Sequence, residues 1–331
     1  MKRDVSDVPQ QDTYQDPLRI MLLGKSGAGK SSSGNTILKR TAFTSDMRLK
    51  RVTAHCEKEV GLVEDRQVAI IDTPGLFEKD GNKDEIMREI LMRIKLQEPG
   101  PHIFVLVVPL GRMTQEDHDT NTLIEAMFGP RVWDYTIVLF THGDRLDKKT
   151  INDVISESDD NLCNFIRKCS GGFHVFNNKT PEDQTQVTPL MKKIQTLIAL
   201  NGGGYYKTEL YPRKERKIRE RQESILAEEA ASILKKEENL KTKFEGEELN
   251  MKMKVLWMKE EERARKKAEN QIRNRKVLNC FLLVTLISLL LGLTFSGLKI
   301  YLLTGAVIWI GLFMLPYLIS SVGKPFFLKN K

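Results

Sequence analysis

The residues whose types and spacing could do chemistry begin at position 24. Gly24, Lys25, Ser26, Gly27, Ala28, Gly29, Lys30 and Ser31 fit the pattern GxxxxGK[ST]. Glycines in that pattern let backbone N–H groups turn inward around a chain of phosphates, and the helix that follows adds the positive end of its dipole. Lys30 is then placed to reach the outer phosphates, the Ser31 hydroxyl can ligate Mg2+, and Ser32 follows in the same first turn. The pattern by itself does not choose between adenine and guanine nucleotides.

Two later segments make that choice. Asp72, Thr73, Pro74 and Gly75 follow the apolar run Val68 to Ile71 and have the form DxxG. An Asp at a strand end can hold a magnesium-bound water, and the Gly75 N–H can meet a terminal phosphate, so this segment can sense hydrolysis. The same tetrapeptide also makes a good ordinary turn. Thr141, His142, Gly143 and Asp144 close the run Thr136 to Phe140, where an NKxD motif would stand. A carboxylate at Asp144 can accept from both N1–H and the exocyclic amine of guanine, which adenine cannot offer, so guanine is preferred. Thr141 and His142 replace the usual Asn and Lys of that motif. Asn177 and Asn178 follow the next apolar run and are expected to close over the base.

These residues need a scaffold of alternating strands and helices. Apolar runs at Leu18 to Leu23, Val68 to Ile71, Ile103 to Val108, Thr136 to Phe140 and Gly172 to Phe176 are bounded by turn signals and separated by helical patterning. Lys30 to Arg40 reads as the first helix. That order predicts an α/β fold with a mostly parallel sheet covered on both faces. In the last helix Leu190, Ile194, Leu197 and Ile198 share one face, and Gly202 to Gly204 break it. The expected domain therefore spans 17–204, after a polar, disordered stretch over 1–16.

Residues 205–276 are different material, with 36 of 72 residues charged and the two signs interleaved. An extended solvated helix is the expectation, or a coiled coil with a partner; Ile225, Leu226, Ile233 and Leu234 recur near heptad spacing, but the stripe lapses near Gly246. From Val277 to Leu298 and from Ile300 to Val322 the chain is almost wholly apolar, interrupted by Lys299. Each run has the roughly 20 residues needed to cross a hydrocarbon core. Arg273, Arg275 and Lys276 precede the first run and Lys324, Lys329 and Lys331 follow the second. The positive-inside tendency then places both ends, and the phosphate-binding domain, on the cytosolic side of some organelle membrane, with 277–331 as a transmembrane hairpin.

Charge is partitioned along the chain. Residues 1–204 carry 27 Lys and Arg against 29 Asp and Glu, 205–276 carry 21 against 15, and 277–331 carry 4 against none. The net charge of +8 thus belongs to the region flanking the apolar tail. A nucleic-acid-binding module would be basic on the folded domain itself, so nucleic acid is excluded as the expected partner and anionic membrane lipid is favoured. Cys56, Cys163, Cys169 and Cys280 show no metal-site spacing. The amino terminus lacks a signal-peptide core and a glycine at position 2, and the last four residues hold no prenylation cysteine.

Taken in order, GKSGAGKSSSGNTIL, a stretch with Thr53 ending in Cys56, IDTPGLF, GPHIFVLVVPLGRMTQED, VLFTHGD and VFNNK resemble the GTPases of immunity-associated proteins, the GIMAP family. The resemblance covers about residues 18 to 200, and the Leu-Gly-Arg box between Gly100 and Asp117 makes it specific. It implies a septin-related, Ras-like P-loop GTPase domain that binds GTP and GDP with Mg2+. It also implies homo-dimers or oligomers through the nucleotide face, and other GTPases of the family as partners. By that similarity Thr53 is the switch I threonine and a metal ligand beside Ser31 and Asp72, Ser45 is a nucleotide contact, and His142, Gly143, Asp144 and Asn178 form the base site.

The residue after the DxxG glycine positions the attacking water in Ras-like enzymes, and here it is Leu76. An apolar side chain cannot orient water, so the isolated monomer is expected to hydrolyse GTP slowly. Arg112 is the candidate finger supplied across a dimer interface; an intrachain salt bridge is the other reading. Two functions remain open: a GTPase that assembly accelerates, or a non-hydrolysing GTP-loaded scaffold that recruits partners through 205–276. An ATP-dependent kinase or transport ATPase is disfavoured by Asp144.

Overall fold

Near-complete burial of the apolar runs explains the sheet, because a strand covered on both faces must be apolar throughout. The computed structural model describes residues 16–44, 55–76, 83–111, 114–147, 149–158 and 160–294. Six strands form one sheet: β1 (Leu18–Leu23), β2 (Glu57–Val63), β3 (Arg66–Asp72), β4 (Ile103–Pro109), β5 (Thr136–Thr141) and β6 (Phe173–Val175). Their order is β2-β3-β1-β4-β5-β6, with every pairing parallel except β2 against β3. The expected α/β architecture is present. The strand that sequence patterning missed is β2, a half-exposed edge strand with Val60 and Leu62 facing solvent, which lacks an apolar run.

Among the described residues ten α-helices follow in chain order: α1 (Lys30–Leu38), α2 (Lys83–Met92), α3 (Ile94–Gln97), α4 (Gln115–Phe128), α5 (Ile151–Ser156), α6 (Asp160–Lys168), α7 (Val187–Leu200), α8 (Arg213–Glu228), α9 (Ala230–Lys241) and α10 (Gly246–Thr294). On one face of the sheet α1 and α7 bury Ile37, Leu38, Leu190, Ile194 and Leu197 against Ile20, Ile70 and Val105. On the other, α2 and α4 bury Ile86, Ile90, Ile124 and Met127 against Met21, Ile71 and Phe104.

The domain does not end at Gly204. Beyond the glycine turn the chain re-enters the second core: Tyr206 stacks edge-on against Phe104 and Tyr135, both at 5.1 Å, and its hydroxyl donates to Phe128 O at 2.8 Å. Tyr211 is buried beside Phe128 at 5.6 Å. Glycine breaks the helix there, but large aromatic area decides where the core closes.

The charged segment is laid out as helices that form neither one rod nor a fully solvated arm. α8 and α9 lie along α10, around a small core of Ile218, Ile225, Ala264 and Ala268. The hairpin docks onto α2 and α3 through buried charge. Within the hairpin, Arg265 of α10 makes a two-pronged pair with Glu215 of α8 at 2.6 and 2.7 Å. Arg93 does the same with Glu89 at 2.7 and 2.6 Å, and lies 3.4 Å from Glu261. Gln222 donates to Met92 O and Glu261 O, and Arg219 to Gln97 Oε1. Buried charges persist only when partnered, so charge in the sequence does not by itself mark Glu215, Arg219, Glu261 or Arg265 as solvated.

α10 continues without interruption from the docked segment into the apolar tail, where Leu282 is 55%, Leu283 58% and Val284 54% exposed. Among the described residues no helix is long and apolar enough to cross a membrane. The second apolar run, 300–322, and the last residues of the first lie outside the described residues, as does nearly all of 1–16.

Candidate functional site

The phosphate loop is built by close packing at its two ends. A Cβ at Gly24 would stand 2.5 Å from Val107 O, so β4 fixes the start of the loop. Gly29, at φ +93°, turns the chain into α1 where an L side chain would be strained. Between them Lys25 is half-buried, Ser26 and Gly27 are exposed, and Ala28 packs into the core. Lys30 Nζ donates to Gly24 O at 3.2 Å and Lys25 O at 2.9 Å, which holds its charge over the loop. Ser31 and Ser32 are half-buried on the first turn of α1.

The DxxG segment closes onto this loop. Ser31 Oγ donates to Asp72 Oδ2 at 2.6 Å. Asp72 is buried, which pushes its carboxyl above the usual range, while the Lys30 charge and the Ser31 hydrogen bond pull it back. Thr73 Oγ1 donates to Leu22 O at 2.6 Å and pins the segment to β1. A Cβ at Gly75 would fall 2.6 Å from Ser26 Cα and 2.7 Å from Ser26 N, so only glycine permits this approach. Leu76 N donates to Gly24 O at 3.1 Å, and the Leu76 side chain is fully buried in the core shared with Ile86 and Ile90.

The β5 end carries the base motif and is tied to the same loop. Thr141 Oγ1 donates to Ala28 O at 2.9 Å. His142 takes a left-handed backbone at φ 62°, and partial burial with Arg145 nearby lowers its pKa. Gly143 N donates to Phe176 O at 2.9 Å, and a Cβ there would meet Val175 Cγ1 at 2.9 Å. Asp144 Oδ2 accepts from Lys179 Nζ at 2.6 Å, a bond that lowers its pKa and keeps the carboxylate ionised. Asn178, expected to close over the base, is held beside the phosphate loop. Its Oδ1 accepts from Thr36 Oγ1 at 2.9 Å and its Nδ2 donates to Ser33 Oγ at 3.1 Å, so it fastens the loop after β6 to α1, beside Gly29.

Sequence reasoning gave Lys25 a nucleotide contact and missed its tertiary partner. Lys25 Nζ reaches Thr114 Oγ1 at 3.2 Å and both oxygens of Asp117 at 3.0 Å. Thr114 and Asp117 also form the capping box of α4. The signal existed, since Thr114 and Asp117 stand at capping-box spacing after the Leu-Gly-Arg box. Three candidates, Ser45, Thr53 and Arg112, lie outside the described residues.

The arrangement fits a nucleotide with Mg2+. Gly24, Gly29 and Gly75 line a cradle that side chains would fill, Lys30 supplies a cation, and Ser31 with Asp72 supplies oxygen donors. Mg2+ favours one or two such oxygens completed by phosphate and water over an all-protein cage. Consistent with that preference, no group of three or more His, Cys, Asp or Glu is assembled for a metal among the described residues.

The chain is similar to several known proteins. The chain is 34% identical over 200 residues to human GTPase IMAP family member 8, covering 60% of this chain and 30% of that protein. It is 34% identical over 199 residues to Arabidopsis thaliana immune-associated nucleotide-binding protein 9, covering 58% of each. Against immune-associated nucleotide-binding protein 5 of the same plant, identity is 32% over 259 residues, with 73% of this chain and 83% of the relative covered. The chain thus spans well under two thirds of the length of the first two. Among solved structures, Toc33 from Arabidopsis thaliana in complex with GDP and Mg2+ aligns with a TM-score of 0.45 at 19% identity, covering 55% of this chain and 84% of that one. The AIG1 family model matches residues 18–226, which reaches through the core aromatics into α8 and takes in more than half of the sequence, and the chain belongs to the AIG1 family.

Proposed function

We propose that the chain is a membrane-anchored guanine-nucleotide switch that binds GTP and GDP with Mg2+, assembles through its GTPase domains, and hydrolyses GTP slowly unless assembled. The observation that carries this reading is the bond from Thr141 to Ala28, which sets the Asp144 motif in register with the phosphate loop. The names of the relatives, a GTPase and nucleotide-binding proteins, support it.

In this reading Lys30 lends its charge to the phosphate chain, Ser31 and Asp72 hold the metal, and Gly75 brings its backbone against the terminal phosphate. Bound Mg2+ supplies neutralisation of the charge that develops between the outer phosphates. Asp144 accepts from the guanine edge while Gly143 keeps β5 close to the loop after β6. Thr53 completes switch I, Ser45 and His142 flank the nucleotide, and Arg112 acts across the dimer, two residues before the Thr114 that touches Lys25.

A second reading, a non-hydrolysing GTP-dependent scaffold, is favoured by Leu76, whose side chain is committed to the core and leaves no group to orient water. Anchoring draws support from α10, whose exposed apolar side chains need cover. The GTPase domain would face the cytosol.

The test is GTP turnover by the full chain in detergent as its concentration rises. Turnover per protomer that climbs, and that Arg112→Ala abolishes, supports the assembled GTPase. Flat turnover near zero with GTP retained supports the scaffold, and failure to retain either guanine nucleotide sinks both.

A further inference from the structure

The way α10 leaves the GTPase domain fixes more than the existence of an anchor. Arg88 of α2 pairs with Glu269 at 3.2 Å, and Glu269 also accepts from Arg265 at 2.8 Å. Gln271 Oε1 accepts from Arg221 Nε at 2.6 Å, and Ile272 packs against the core of the hairpin. α10 is therefore locked to α8 and α2 as far as Ile272. The apolar run starts five residues later at Val277, and helical rise makes that about 7.5 Å. The intervening residues contain neither Gly nor Pro, so the helix has no hinge there.

Those few residues carry the basic collar. Arg273, Arg275 and Lys276 are exposed, and from Asn270 to the carboxyl end there is no acidic residue. At 100° per residue the three spread over roughly 160° of the helix circumference, a partial ring rather than a stripe. The headgroup layer on one side of a bilayer is about 5–8 Å thick, the same as the free length of helix.

We propose that this collar seats in a layer of anionic lipid headgroups and that the docked hairpin thereby sets the Arg88 end of α2 closest to the membrane. The proposal rests on the anchoring reading above. The chemistry recognised is the lipid phosphate and carboxylate, each basic side chain near such a surface adding attraction. Arg88 meets α10 eight residues before Val277, about 12 Å of helix, whereas Lys95 N donates to Glu261 sixteen residues before it, about 24 Å, so α3 stands farther from the bilayer than the Arg88 end of α2.

The experiment uses the full chain with Cys163 and Cys280 replaced by Ser, leaving the buried Cys56 and Cys169. A fluorophore is placed at Glu85→Cys on α2 or at Lys95→Cys on α3, both exposed. The protein is reconstituted into vesicles of phosphatidylcholine, with or without phosphatidylserine, carrying a headgroup-attached quencher. In the serine-lipid vesicles the label at position 85 should be quenched at least threefold more than that at 95. Arg273→Gln, Arg275→Gln and Lys276→Gln together should remove most of that difference. Co-flotation with equal quenching at both positions overturns the proposed orientation and leaves the anchor standing. Failure to float with either vesicle, the chain sedimenting as a dimer through its apolar helix, overturns the anchor and the proposal with it.

Discussion

Lys25 Nζ lies 3.0 Å from both carboxylate oxygens of Asp117, and the two residues are 92 positions apart in the chain. Asp117 is buried and also accepts from Thr114 N at 2.8 Å and Thr114 Oγ1 at 2.7 Å. One carboxylate therefore closes the α4 cap and ties α4 to the phosphate loop. Asp117→Asn keeps most of the cap and loses the ion pair, while Lys25→Met removes the other partner. A double-mutant cycle in urea should return a coupling of about 1–3 kcal/mol between them. Additive effects within about 0.3 kcal/mol would show that the pair contributes nothing to joining the two elements.

Gly75→Ala tests the approach of the DxxG segment to the loop. The added methyl would overlap Ser26 backbone, so one segment must move. The expected result is a loss of about 1–3 kcal/mol in stability, the usual cost of overpacking, together with weakened GTP binding. Unchanged affinity by calorimetry would mean that Gly75 does not meet the nucleotide.

Asp144→Asn separates binding from folding. Its partner Lys179 is mostly exposed, so thermal stability should hold within about 0.5 kcal/mol. Removal of two charge-assisted hydrogen bonds to guanine should weaken GTP binding by about 3 kcal/mol, roughly a hundredfold in Kd. ATP affinity, measured in parallel, should change little.

The hairpin interface should carry a pH signature. Burial pushes Glu261 up to about 7, so its carboxyl is protonated in the fold at pH values where the unfolded chain is ionised. The folded state then binds more protons between the ordinary value of 4.5 and about 7, and stability falls as pH rises through that window. His102 acts in the opposite sense. Burial beside Arg19 takes it from 6.5 to about 4, so its contribution is present above 6.5 and is lost as pH falls toward 4. Glu261→Gln mimics the neutral acid and should gain stability over the parent chain between pH 5 and 8 in urea unfolding. An equal pH slope in both proteins would assign the effect elsewhere.

The phosphate loop, the DxxG turn, the Asp144 motif and five of six strands were legible because each is set by neighbours in sequence. Glycine spacing and apolar runs encode local backbone, and phosphate binding demands a contiguous turn. β2 was not legible, because an edge strand needs apolar residues on only part of one face and Glu57–Val63 supplies no more. Asn178 was recognised as a loop residue, but the bonds that take it to Thr36 and Ser33 cross 142 and 145 positions.

What the sequence by itself determined was a P-loop fold, the position of the Asp144 motif at the end of β5 and a greasy end, since each is written in residue type and short spacing. Whether the charged stretch after Gly204 stands in water or against the domain was decided only by the tertiary structure. A charge is stable in either place, and the difference lies in whether a partner such as Arg93 for Glu261 or Arg88 for Glu269 arrives from the domain.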